Sequence, residues 1–196
     1  KGNFDVNAVF AQNKNSLLVS RNDAFHSPEL YSVDLKNGKM KQVTDVNADF
    51  YQKLKLGHSE LKMVKTTDGK EMGVWFHYPP NFDPNKKYPA LLYCQGGPQS
   101  ALTPYFSLRN FSLMTANDYI VIAPNRRGMP GWGTKWNEQI SQDWGGQSIQ
   151  DYLSAADFAK ELPYIDKDRM GAVGASYGGY SVLMLAGVHQ NRFKTF

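Results

Sequence analysis

Three apolar runs set apart by helical patterns constrain this chain more than anything else in it. Residues 90–95 (ALLYCQ) and 118–125 (DYIVIAPN) are near-continuous apolar stretches, and residues 169–174 (RMGAVG) form a third strand-like run. Apolar stretches without polar alternation suit strands buried on both faces. Between the first two, residues 104–116 can form a helix. Between the second and third, residues 148–162 place Ile149, Tyr152, Leu153, Ala156 and Ala159 on one stripe, which predicts an amphipathic helix. Residues 180–188 are apolar and predict another helix after the third run. Strands that alternate with helices build a parallel sheet with helices on its faces. The preceding stretch ELKMVKTTDGKEMGVWFHYP reads as two alternating strands around Asp68-Gly69, a hairpin. Residues 58–196 are therefore expected to be the first part of an α/β domain, entered through a hairpin.

Residues 1–57 follow another pattern. AVFAQ, SLLVSR, ELYSVDL and MKQVT are short runs rich in β-branched and aromatic residues. Asn37-Gly38, between the last two, predicts a hairpin whose two turn residues both take positive φ. Short antiparallel strands at this spacing suit a propeller blade or a sandwich. The chain opens Lys1-Gly2-Asn3, within strand-like sequence and with no signal-like segment, and reads as an excerpt of a longer chain.

Composition narrows the function classes. Hydrophobic residues make up 41% of the 196 and aromatics 13%, enough for a packed core and too much for a disordered chain. The 22 basic and 18 acidic residues are interspersed, giving a net charge of +4 without a basic stripe, so no nucleic-acid groove is indicated. No apolar stretch approaches the ~18 residues of a membrane span. The single cysteine, Cys94, excludes an internal disulfide and a cysteine-based metal site within these residues, and its apolar run predicts a buried thiol.

The chemistry concentrates at residues 171–180, GAVGASYGGY. Gly174-Ala175-Ser176-Tyr177-Gly178 is a G-x-S-x-G pentapeptide with a strand before it and a helix after it, the context a nucleophile elbow requires. Ser176 is the candidate nucleophile, held in a strained turn that lifts its Oγ above the sheet. Gly174 and Gly178 remove β-carbons that would collide across the turn, and Gly179 is expected to let the helix pack close to the strand. Gln95-Gly96-Gly97-Pro98 ends the earlier apolar run. In hydrolases of this architecture the oxyanion hole takes one N–H from the residue after the serine and one from this loop. The expected donors are Tyr177 and Gly97. A dinucleotide fingerprint and a P-loop both fail on these glycines. Arg126 and Arg127 could bind a substrate carboxylate, but a solvated or ion-paired role is favoured. Trp132, Trp136 and Trp144 read as loop packing. His26, His58 and His77 precede the serine, and His189 falls at the far end of its helix, roughly 20 Å along the axis. None of the four is a credible general base.

GASYGGY, CQGGPQS, APNRRG and DKDRMGAVG together resemble the prolyl oligopeptidase family of serine peptidases, and most closely its dipeptidyl-peptidase and acylaminoacyl-peptidase branches. The resemblance is strong over residues 58–196. It extends over 1–57 through SPELYSVDLKNGKMKQVT, which looks like a propeller hairpin. It implies an α/β fold in which residues 1–57 are the last blade of a β-propeller and residues 58–196 the N-terminal portion of an α/β-hydrolase domain. It also implies that Ser176 forms an acyl-enzyme with a short peptide and that Tyr177 gives an oxyanion N–H and lines the S1 pocket. Relatives carry a tyrosine or a histidine where this chain has Gln95, which favours the Gly97 backbone as donor with Gln95 as support. The family order of serine, acid, histidine implies that the triad Asp and His lie beyond Phe196. No metal or organic cofactor is needed. A homodimer and a periplasmic or secreted bacterial setting are compatible with the resemblance. Two other readings stay open on the residues alone: a carboxylesterase or other acyl hydrolase on the same scaffold, and a non-catalytic propeller–hydrolase binding protein.

Overall fold

The computed structural model describes residues 3–13, 15–107 and 111–196. Two sheets account for the strands among the described residues. The first is an antiparallel meander of β1 (Asp5–Asn13), β2 (Ser16–Asn22), β3 (Glu29–Asp34) and β4 (Met40–Gln42), paired in chain order. The β3–β4 turn differs from the expected two-residue hairpin. Gly38 alone takes positive φ, at 70°. Asp34 closes the turn instead, accepting from the Lys36 N–H at 2.8 Å and from Asn37 Nδ2 at 2.9 Å. The short helix α1 (Ala48–Tyr51) follows in the stretch leading to the second sheet.

The second sheet contains β5 (His58–Lys65), β6 (Glu71–Tyr78), β7 (Tyr88–Cys94), β8 (Ile120–Pro124) and β9 (Ile165–Gly174), in the order β5-β6-β8-β7-β9. Pairing of β5 with β6 and of β6 with β8 is antiparallel, while β7 pairs in parallel with β8 and β9. The expected α/β arrangement and its hairpin entrance are thus present. β6 does not alternate as expected: every residue after Glu71 is buried, because both of its faces are covered, with Met72, Val74, Phe76 and Tyr78 in one core and Trp75 and His77 packed beside Phe111 on the other side. β7, expected to be buried on both faces, alternates buried with half-buried residues.

After the short helix α3 (Thr134–Glu138), α4 (Gln147–Lys160) buries the whole expected stripe, Ile149, Tyr152, Leu153, Ala156 and Ala159. These side chains join Leu185 of α5 (Tyr177–Val188) over one face of the sheet, with Met72, Val74, Phe76, Leu92, Cys94 and Ile122 beneath. The other face packs Trp75, Val121 and Ala123 against Phe111 of α2 (Phe111–Ala116) and against Ala24 and Phe25. The helix expected over 104–116 is described only from Phe111. Residues 104–107 are irregular, and the Phe106 N–H donates to Asn22 Oδ1 at 2.8 Å, a bond to the first sheet that replaces a helical one. Residues 108–110 lie outside the described part. Among the described residues, no helix is long and apolar enough to cross a membrane.

Candidate active site

Ser176 sits between the end of β9 and the start of α5, at φ 58° and ψ −126°. A non-glycine residue at such a φ stores strain on the order of 1–3 kcal/mol and persists only where the surroundings fix it. Glycine packing does the fixing. A β-carbon on Gly174 would lie 2.5 Å from the Gly178 carbonyl oxygen and 2.8 Å from that of Cys94. One on Gly178 would lie 2.0 Å from the Cys94 oxygen. The elbow is therefore pressed onto the carboxyl end of β7, and Ser176 is left exposed. Gly179 does not have the expected role: a β-carbon there would meet only the Gly174 oxygen at 3.7 Å, an ordinary contact.

The turn after β7 lies against the elbow. A β-carbon on Gly96 would stand 3.1 Å from the Ala175 oxygen and 3.6 Å from Ser176 Cβ. Gly97 has φ 134°, and a β-carbon there would stand 2.7 Å from the Gln99 nitrogen and 2.8 Å from that of Ser100. Gln95 is half-buried at the start of this turn. The structure thus brings Gln95, the Gly96-Gly97 turn, Ser176 and Tyr177 into one neighbourhood through the adjacent ends of β7 and β9, where Cys94 is in register with Gly174. Burial pushes the Cys94 thiol well above its ordinary range, so the residue acts here through its backbone.

Tyr177 is buried and held from several directions. Its hydroxyl donates to the Trp144 carbonyl at 2.7 Å and lies 3.1 Å from Ser148 Oγ. Trp144 stands edge-on to its ring, with centroids 5.5 Å apart, and Tyr180 is tilted against it at 5.6 Å. Trp144 itself is half exposed, so it does more than pack its loop: it forms an open aromatic rim beside Tyr177.

Neither arginine after β8 is solvated. Arg127 is ion-paired: it donates to both oxygens of Asp68 at 2.7 Å and to both oxygens of Asp151 at 3.0 Å. Burial works against its charge, but the hydrogen bonds of the two carboxylates outweigh that and raise its pKa. The same hydrogen bonds hold Asp68 far below the usual carboxylate range, whereas burial pushes Asp151 upward. Arg126 is fully buried and, among the described residues, hydrogen-bonds only uncharged partners, Tyr152 Oη at 3.2 Å, the Arg127 carbonyl at 2.7 Å and the Pro98 carbonyl at 2.9 Å. The sequence singled out this arginine, but the solvated or ion-paired role favoured for it does not hold; its signal is a charge two residues after a fully apolar strand.

The histidines stand where the sequence placed them, away from the serine. His77 is buried on β6 against Phe111, His58 stacks on Tyr78, and His26 pairs with Asp23. His189 follows the last residue of α5 and rests on Phe193 and Phe196.

A parallel strand ending in a glycine-bound serine turn, with a helix after it and a glycine turn beside it, is the frame of an α/β-type hydrolase. Residues 104–196 match the prolyl oligopeptidase family, and the chain belongs to that family. It is 52% identical to dipeptidyl-peptidase 5 of Porphyromonas gingivalis over 185 residues, which is 93% of this chain and 27% of that protein. Among solved structures, the acylaminoacyl peptidase of Pyrococcus horikoshii superposes with a TM-score of 0.85 at 27% identity, covering 99% of this chain and 30% of that one. An acylaminoacyl peptidase in complex with Z-Gly-Gly-Phe-chloromethyl ketone superposes with a TM-score of 0.84 at 27% identity, with the same coverage of 99% and 30%. The chain therefore spans between a quarter and a third of the length of these relatives.

Proposed function

We propose that this chain carries the nucleophile and oxyanion hole of a serine peptidase that removes short units from peptides, of the dipeptidyl- or acylaminoacyl-peptidase type. The observation that carries the reading is Ser176, exposed in a strained left-handed conformation and clamped by Gly174 and Gly178 against the end of β7. Ser176 Oγ attacks the scissile carbonyl while its proton passes to a histidine. The oxyanion is held by the Tyr177 and Gly97 N–H groups, with Gln95 supporting the turn. The amine leaves with the proton returned by the histidine, and water then hydrolyses the acyl-enzyme. The required His and Asp come from outside these residues. Residues 58–196 are the first portion of the hydrolase domain. The Lys194 N–H donates to the Met170 carbonyl at 2.8 Å and the Ala172 N–H to the Thr195 carbonyl at 3.1 Å, so the chain after α5 already begins to pair beside β9. Residues 1–57, with their four-stranded meander, are the last blade of a propeller, and the protein works in the periplasm or outside the cell.

The test is labelling with a fluorophosphonate probe in the whole protein that contains this sequence. Wild type is expected to be modified at Ser176, and Ser176→Ala is expected to be unmodified. Equal labelling of the two removes Ser176 from the nucleophile role.

A further inference from the structure

Arg126 is an unusual place for a charge. It is fully buried, and among the described residues it faces no carboxylate within ion-pair distance, while its neighbour Arg127 takes two. A buried cation without a counter-charge is costly, so its surroundings must supply the compensation. They do so with three oxygen acceptors and an aromatic face. The guanidinium carbon stands 4.5 Å from the centre of the Tyr177 ring, within the range of a cation–π contact. Nη2 donates to the Pro98 carbonyl at 2.9 Å. One planar group therefore touches both the residue after Ser176 and the turn that contains Gly97. Tyr152 Oη, at 3.2 Å from Nε, fixes the guanidinium from below.

Resting on the reading of Ser176 as nucleophile, we propose that Arg126 is a positioning residue: it sets the distance between the two oxyanion donors and gives their pocket a standing positive charge. The spatial part follows from the rigid guanidinium, which holds the Pro98 carbonyl with one nitrogen and lies over the Tyr177 ring. The electrostatic part follows from the missing carboxylate. A dry positive charge beneath the hole acts on negative charge that develops in the transition state and is absent from the neutral ground state. Arg126 thus supports kcat and leaves substrate affinity nearly untouched.

The experiment compares wild type, Arg126→Lys and Arg126→Met in the whole protein with three readouts: kcat and KM on a chromogenic dipeptidyl anilide, affinity for a dipeptide boronic acid, and affinity for the corresponding dipeptide. Arg126→Met is expected to lose about 100-fold in kcat and a similar factor in boronate affinity, the size typical of a lost oxyanion contact. KM and dipeptide affinity should stay within about threefold of wild type by the same logic of selective transition-state binding. Arg126→Lys keeps the charge but not the fork and should fall between the two. Wild-type kcat in Arg126→Met, equal losses of boronate and dipeptide affinity, or unfolding of both variants overturns the proposal. Fluorophosphonate labelling separates the two levels. An unlabelled wild-type Ser176 removes the underlying reading and this proposal with it, whereas a labelled wild type with any of those three outcomes overturns the role of Arg126 alone.

Discussion

The carbonyl oxygen of Cys94 occupies the space that a β-carbon on Gly178 would need, at 2.0 Å from its ideal position. The last peptide of β7 and the first turn of α5 therefore touch backbone to backbone, and Ser176 is suspended between them. Gly178→Ala has no flexible side chain to push aside, so either β7 or the elbow must move. The expected outcome is loss of Ser176 labelling by a fluorophosphonate together with a destabilisation of about 1–3 kcal/mol, the usual range for overpacking a well-filled site. Gly179→Ala, where the nearest atom is an ordinary contact, should label like wild type. Similar labelling of both variants would contradict the clamp.

How much of this was legible in the sequence depends on how local the cause is. The apolar runs around Leu92 and Ile122 and the Ile149–Tyr152–Ala156 stripe announce the sheet and its covering helix, because burial of a strand or a helix face writes itself into consecutive residues. The elbow was legible for the same reason: its glycines, its serine and both flanking elements lie within twenty residues or so. Residues 104–107 were not. Phe106 gives its N–H to Asn22, 84 positions away, and no local window contains that acceptor. The buried setting of Arg126 was hidden on similar grounds. A charged side chain reads as surface until its acceptors are known, and its partners come from the turn after β7, from α4 and from the elbow. The full burial of β6 depends on cover over its second face from Phe111, Ala24 and Phe25, which lie far from it in the chain.

Asp68 and Asp151 share Arg127 but should differ sharply on substitution. Asp151 is fully buried and takes the Arg127 backbone N–H at 2.9 Å as well as the side chain. Asp68 has 35% of its side chain exposed. Breaking a buried pair costs up to about 3–5 kcal/mol, here reduced because Arg127 keeps Asp68, whereas a solvated pair contributes at most about 1 kcal/mol. Asp151→Asn should therefore shift the urea midpoint strongly and Asp68→Asn only slightly. Equal shifts would mean that the burial of Asp151 does not decide its contribution.

His77 gives the fold an acid-sensitive point. Its ring stacks on Phe111 with centroids 4.1 Å apart, Nδ1 lies 2.7 Å from Ser59 Oγ, and Nε2 is buried without a partner among the described residues. Burial alone lowers its pKa from 6.5 to about 3. The folded state keeps the ring neutral while the unfolded chain protonates below pH 6.5, so the stability is fully present above that pH and is lost as pH falls toward about 3. Between pH 6.5 and 5 this one group should cost wild type about 1–2 kcal/mol, by the linkage slope of about 1.4 kcal/mol per pH unit for one proton. His77→Phe keeps the stack and removes the titration. Denaturant melts across that window should show a shallower pH dependence for the variant, and parallel curves would rule out His77 as the source.

Gly97 is the position where space and φ coincide. Its φ of 134° is one that side chains rarely adopt, and a β-carbon would press on the Gln99 and Ser100 backbone nitrogens at 2.7 and 2.8 Å. The turn can accept a side chain only by rotating the peptide groups around residue 97, among them the N–H proposed to face the oxyanion. Gly97 itself is exposed, so that rotation should leave the core intact and chiefly move the donor. Loss of one oxyanion donor typically lowers kcat by about 10²–10³. Gly97→Val is therefore expected to keep its melting behaviour and its KM while kcat falls by that order, and Gln95→Ala, which leaves the backbone donor in place, should lose far less. A Gly97→Val enzyme with near-wild-type kcat would show that the second donor lies elsewhere. A larger loss in Gln95→Ala than in Gly97→Val would assign the oxyanion contact to the glutamine side chain.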